Sequence, residues 1–109
     1  LGSLESAEAA YRRAVELTRG EARTLLSLSR VLVEQDNFSQ ASRYYSRLQT
    51  MIQRNIRLTH SPESLYTGIR IARHFQDRDQ EASLALLLRN EYPESVEDQQ
   101  YKVLIANDR

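Results

Sequence analysis

The sequence predicts an all-α chain of stacked helical hairpins, and three observations carry that reading. Apolar residues recur at helical rather than alternating spacing, most clearly at Leu25, Leu28 and Leu32. With 3 Gly and 2 Pro in 109 residues there are few chain breakers, and 40% hydrophobic with 28% charged residues suits a folded unit rather than a disordered one. A pattern also repeats: Leu4, Ala7, Tyr11 and Ala14 return as Phe38, Ala41, Tyr45 and Leu48, each 34 residues later. The length fits one compact unit or a slice of a longer array.

A 34-residue period is that of the tetratricopeptide repeat, an α-solenoid unit of two antiparallel helices. A small residue early in its second helix lets the first helix approach, and an aromatic four residues on fills the space beside it. Ala41 and Tyr45 suit those roles. Residues 1–20 read as the second helix of a truncated repeat, with Ala7, Tyr11, Ala14 and Leu17 inward and Arg19-Gly20 closing it. Its partner helix is expected upstream in a longer chain. Its open face, residues 4–18, is therefore a candidate for pairing with a second copy.

Residues 21–52 read as a complete repeat. Ala22 to Glu34 forms the first helix, Gln35-Asp36-Asn37 turns the chain, and the second helix runs from about Phe38 with Phe38, Ala41, Tyr45, Leu48 and Ile52 along one side. Gln53 to His60 is a loop or a frayed extension. A third pair, 61–92, starts at Ser61-Pro62-Glu63, with Ser as N-cap, Pro at the first helical position and a carboxylate near the positive helix end. Leu65, Ile69, Ala72 and Phe75 are expected inside; Gln76 to Asp79 turns the chain; Ala82, Ala85, Leu88 and Tyr92 continue the stripe until Pro93 stops it. Ser95 and Asp98 have capping-box spacing. They open a C-terminal capping helix, within 95–107, that uses Tyr101 and Leu104 to cover the open end of the stack.

Fifteen basic and fifteen acidic side chains cancel, which removes the long-range field a nucleic-acid binder relies on. No cysteine is present, so thiolate metal sites and a cysteine nucleophile are excluded within this sequence. The longest apolar run, Leu84 to Leu88, is too short for a membrane span, so a soluble chain is expected. His60 and His74 lie on different elements without metal-ligand spacing, and neither has a visible nucleophile to serve. Asp77-Arg78-Asp79 lacks the alternating oxygen ligands of a calcium loop and reads as a salt-bridged turn. No catalytic residue, metal or cofactor is expected.

Binding remains. First helices of such repeats line the concave groove, which brings forward Arg23, Ser27, Arg30, Thr67, Arg70 and His74 as candidate partner-binding residues. Arginine outnumbers lysine fourteen to one, and guanidinium groups suit bidentate contacts to carboxylates. A general adaptor that holds a peptide or protein C-terminus in the groove is one function this allows. Its arginine clamp would rest on Arg23 and Arg30, because Leu26 occupies a position where a basic group is wanted. Tyr44, next to Tyr45, should face another side of its helix and be partly exposed.

The run Ser64-Leu65-Tyr66-Thr67-Gly68-Ile69-Arg70-Ile71-Ala72-Arg73-His74-Phe75-Gln76-Asp77-Arg78-Asp79, followed by Ala82-Ser83 and Tyr92-Pro93, closely resembles the C-terminal part of the PilW/PilF family of type IV pilus biogenesis proteins. The segment from Phe38 to Tyr45 is also similar to a repeat there, so the resemblance covers about residues 22–97. It implies a non-enzymatic outer-membrane lipoprotein on the periplasmic side, a pilotin that helps the pilus secretin assemble or localise. It further implies that this chain is a C-terminal fragment, touching membrane only through a lipid anchor expected upstream. Arg70 and Asp77 to Asp79 match family positions, where an arginine bracing the turn would explain them.

Overall fold

The computed structural model describes residues 2–108, with the side chain of Leu4 outside the described set. Five helices follow in order: α1 (Gly2–Glu34), α2 (Phe38–Arg54), α3 (Pro62–His74), α4 (Arg78–Glu91) and α5 (Val96–Ala106). The later half of α1 pairs with α2, α3 pairs with α4, and α5 lies across α3 and α4 at the end of the stack. This is a tetratricopeptide-type arrangement of helical hairpins with a capping helix.

The two hairpin turns have the same construction. After α1, Asp36 N–H bonds Val33 O and Asn37 N–H bonds Leu32 O; after α3, Gln76 N–H bonds Arg73 O and Asp77 N–H bonds Ala72 O. Each pair satisfies carbonyls at a helix end by placing one residue in the left-handed region, Asp36 at φ 60° and Gln76 at φ 58°. The next residue then caps the following helix: Asn37 and Asp77 side chains accept from Gln40 N and Gln80 N. The expected salt-bridged turn at Asp77 to Asp79 is thus a capped turn instead. A side-chain oxygen one residue before a helix satisfies a free backbone donor, which an ion pair with Arg78 would not do.

α3 begins as the sequence predicts, with Ser61 as N-cap and Pro62 in the first turn, and Ser64 completes a reciprocal capping box. At α5, Ser95 Oγ accepts from Asp98 N, while the Asp98 carboxylate reaches back to Glu94 N rather than to Ser95. Glu94 is left-handed, φ 64°, and this swings its amide under the carboxylate.

α1 departs from expectation by running unbroken through Arg19-Gly20. A lone glycine costs a helix about 1 kcal/mol relative to alanine, whereas Leu17, Arg19, Glu21, Ala22 and Arg23 around it are good or adequate helix formers, with no proline to stop them. Tyr11 and Tyr45 consequently have different fates. Without a turn at Gly20 the first half of α1 cannot fold back on the second, so Tyr11 is 51% and Leu17 69% exposed, and Ala7 and Ala14 are exposed too. The side chain of Leu4, expected on the same stripe, lies outside the described set.

Two apolar clusters form the core. The first joins Leu25 and Val33 of α1 to Ala41, Tyr45 and Leu48 of α2 and Ile71 of α3; the second joins Leu65 and Ile69 of α3 to Leu84 and Leu88 of α4, with Tyr101 of α5 packed on it. Helix α3 belongs to both. The buried line of α1 is Leu25, Ser29, Val33 at spacings of four, so Leu28 is 40% exposed where an inward position was expected. Ser29 can be wholly buried because its hydroxyl donates to Leu25 O. Phe75, also expected inside, sits at the C-cap of α3, where the chain leaves helical phase, and is 51% exposed. In α4, Leu84 and Leu88 face inward, and Ala82 is exposed rather than buried.

The hairpins meet at Gly68. A Cβ there would collide with the phenol of Tyr45 and lie 2.7 Å from Leu84 Cδ1. Gly68→Ala should therefore lower the melting temperature, with a loss of roughly 1 to 3 kcal/mol from overpacking. Ala41 is 0% exposed, and Ala41→Trp is expected to lose at least as much. A denaturation midpoint equal to the parent's for either variant would contradict this packing.

Candidate functional site

A groove of about 800 Å³ runs between α1, α3 and α5. Its α1 wall carries Arg30 and Glu34, its α3 wall Glu63, Thr67 and Arg70, and its α5 wall Val96, Glu97 and Val103. Three of the six residues expected to line a concave surface, Arg30, Thr67 and Arg70, are brought together here. Thr67 contributes little to the surface, since it is 5% exposed and its hydroxyl donates to Glu63 O.

The two arginines are already engaged. Arg30 Nη1 lies 2.8 Å from Glu63 Oε2, and Arg70 Nη1 lies 2.7 Å from Glu34 Oε1. Both pairs cross from α1 to α3, so they orient one hairpin on the next while partly neutralising the groove. Exposed pairs of this type contribute only about 0 to 1 kcal/mol each. Arg70 thus faces Glu34 across the groove and does not brace the turn at Asp77. Val96 at 67% and Val103 at 58% exposure give the α5 wall an apolar character.

The other three candidates lie elsewhere. Arg23 lines a separate pocket between α1, α2 and the α2–α3 loop. Ser27 is on the outer side of α1, in a shallow depression with Leu28 and Val31. His74 stacks on Phe38 with ring centroids 4.0 Å apart and meets Phe75 edge-on, so its ring bridges the starts and ends of two helices. Tyr44 is half-buried, with the Arg47 guanidinium 5.7 Å from its ring centroid.

Sequence reasoning missed the most connected polar group. Arg73, 19% exposed, donates to Glu81 Oε2 at 2.8 Å and also pairs with Asp108; Tyr101 Oη donates to the same Glu81 oxygen at 2.9 Å. The network ties α3, α4, α5 and the residues after α5 together. Its hydrogen bond to Glu81 raises the Arg73 pKa, and burial, helped by Glu81, pushes the Tyr101 phenol up to about 12. Spacing along α3 does not mark Arg73, because its partners, Glu81 on α4 and Asp108 after α5, lie 8 and 35 residues away. Among the described residues, no group of three His, Asp or Glu side chains is placed to hold a metal, and no helix is long and apolar enough to cross a membrane.

No family model matches the sequence. The type IV pilus assembly protein PilF of Pseudomonas aeruginosa is 30% identical over 92 residues, covering 84% of this chain. A solved structure from the functional characterization of Pseudomonas aeruginosa pilF matches with a TM-score of 0.68 and 28% identity over 89% of this chain. The chain is a PilF-like tetratricopeptide protein. It spans 34% of the length of the curated PilF relative and 41% of the solved PilF chain, so the likeness is to one part of a longer repeat array.

Two outcomes are expected of the polar groups. Arg73→Ala leaves Glu81, 17% exposed, without its guanidinium, and should lower stability by roughly 1 to 3 kcal/mol in a denaturant titration. His60 is half-buried with Nδ1 2.8 Å from Ser64 Oγ, and burial lowers its pKa against the opposing influence of Glu91. A folded pKa below the unfolded one means the unfolded chain takes the proton first. Stability should therefore hold above about pH 6.5 and decline below it, and His60→Gln should flatten that decline when midpoints are compared at about pH 7 and about pH 5.

Proposed function

We propose that this chain is a non-enzymatic protein-interaction scaffold in type IV pilus biogenesis, acting at the periplasmic side of the outer membrane to assist assembly or localisation of the secretin. The likeness to the PilF assembly protein over 84% of the chain carries this reading. The groove between α1, α3 and α5 supports it from the physical side: it is wide, mixed in polarity, and has exposed valines beside paired charges, as a surface for another polypeptide requires. The mechanism is complementarity between that surface and a partner, with no bond made or broken. The face of residues 4–18, with Tyr11 and Leu17 exposed, is proposed as a second contact, for a neighbouring repeat or another copy of the chain.

Deleting the full-length gene is expected to lower both surface pili and secretin multimers, scored by electron microscopy and by immunoblot of unheated membranes. Unchanged levels of both would remove this reading. Val103→Glu, on the groove wall, should reproduce the loss without changing helix content, because it places a charge on the proposed contact.

A further inference from the structure

The groove between α1, α3 and α5 changes character along its length. Arg30 and Glu34 of α1 pair with Glu63 and Arg70 of α3 in that order, so the two helices run in the same sense. Arg73, in the last turn of α3, pairs with Asp108 just past α5, so α5 runs the same way. Glu63 lies in the first turn of α3 and Glu97 in the first turn of α5, with Glu94 just ahead of it. The three carboxylates therefore gather at the end of the groove where α3 and α5 begin. Arg30 offsets Glu63 there, and among the described residues neither Glu94 nor Glu97 is ion-paired. The two helix starts add roughly half a positive charge each, which still leaves this end negative. At the other end Arg70 and Glu34 cancel, and α5 supplies Val103, Leu104 and the neutral amide of Asn107.

The acidic end is fixed in place. Glu94 N–H donates to the buried Asp98 carboxylate, which also pairs with Lys102 at 3.2 Å, and Ser95 caps α5. Carboxylates on an ordered turn lose little freedom when a cation meets them. Their sign decides what enters: phosphates are repelled, and a guanidinium or ammonium group is attracted. Length decides its form. With 13 residues α3 is about 20 Å long, which matches an extended segment of about six residues at ~3.3 Å each.

We propose that the groove takes an extended polypeptide segment that is basic at one end and apolar at the other. The basic side chains meet Glu94 and Glu97, and the apolar ones lie along Val103 and Leu104. The inference rests on reading the groove as a protein-binding surface, and it adds the chemistry of the segment that fits. A chain terminus is not required.

The test is fluorescence anisotropy with the 109-residue chain and the peptide Arg-Arg-Ser-Val-Leu-Gly, carrying a neutral fluorophore at its amino end and an amide at the other. Saturable binding with a Kd below about 1 mM is expected, weakening as salt rises. Glu-Glu in place of Arg-Arg, or Ser-Ser in place of Val-Leu, should each weaken it about tenfold or more. The double variant Glu94→Lys, Glu97→Lys should do the same with unchanged circular dichroism, because two attractions become two repulsions, and it should bind the Glu-Glu peptide in turn. Glu16→Lys, exposed on the outer half of α1, should leave binding intact. Equal affinity for the Arg-Arg and Glu-Glu peptides, a loss with Glu16→Lys as large as with the double variant, or no saturable binding would overturn the proposal. Any of these beside a pilus defect from Val103→Glu would remove the charge-polarised segment and leave the scaffold reading standing. Selective peptide binding beside unchanged pili and secretin multimers in the deletion would do the reverse.

Discussion

One close approach governs the rest of the molecule: the phenol of Tyr45 lies against the bare backbone of Gly68. Its hydroxyl donates to Ser64 O at 2.7 Å, so a buried tyrosine from one hairpin satisfies its only donor on a carbonyl of the next. Burial makes that proton hard to remove and pushes the phenol far up from the ordinary tyrosine range. The contact works because Gly68 has no side chain, because Ala41 one turn before Tyr45 is small, and because Leu84 closes the space from α4. Fixing this seam sets how α1 faces α3 and thereby the width of the groove.

Much of this was legible in the sequence. The helix starts at Phe38 and Pro62 followed from Asn37 and Ser61, and the pairing of Ala41 with Tyr45 followed from the repeat. What failed did so for identifiable reasons. The break at Gly20 was inferred from the repeat phase, but phase says where a turn belongs in an array, whereas local propensity decides whether the helix stops. Leu28 and Phe75 were assigned by spacing alone, and spacing does not reveal that the buried line of α1 runs through Leu25, Ser29 and Val33 or that a chain leaves helical phase at a cap. Ser29, wholly buried, was invisible because a hydroxyl bonded to its own helix looks polar in sequence.

The candidate binding residues were less legible than the fold. Picking first-helix positions found Arg30, Thr67 and Arg70 together, but sequence does not show that Glu63 and Glu34 sit opposite the arginines. Nor does it show that Arg57, far along the chain, comes back to Tyr11. Charge neutrality in composition is compatible with a very uneven local distribution. Here carboxylates are matched to the guanidinium groups that join helices, Arg30 with Glu63, Arg70 with Glu34 and Arg73 with Glu81.

The unbroken α1 has a geometric consequence. At 33 residues it is a rod of roughly 50 Å, and much of the 65 Å long dimension of the chain follows from it. Such a rod has no joint between its two halves, so whatever seats on the outer half is held at a set azimuth relative to the hairpins. Because each residue turns the helix by about 100°, that azimuth is counted out by the number of residues between the two halves. One residue added near Gly20 would swing the outer half to a different compass bearing without altering any contact of the inner one.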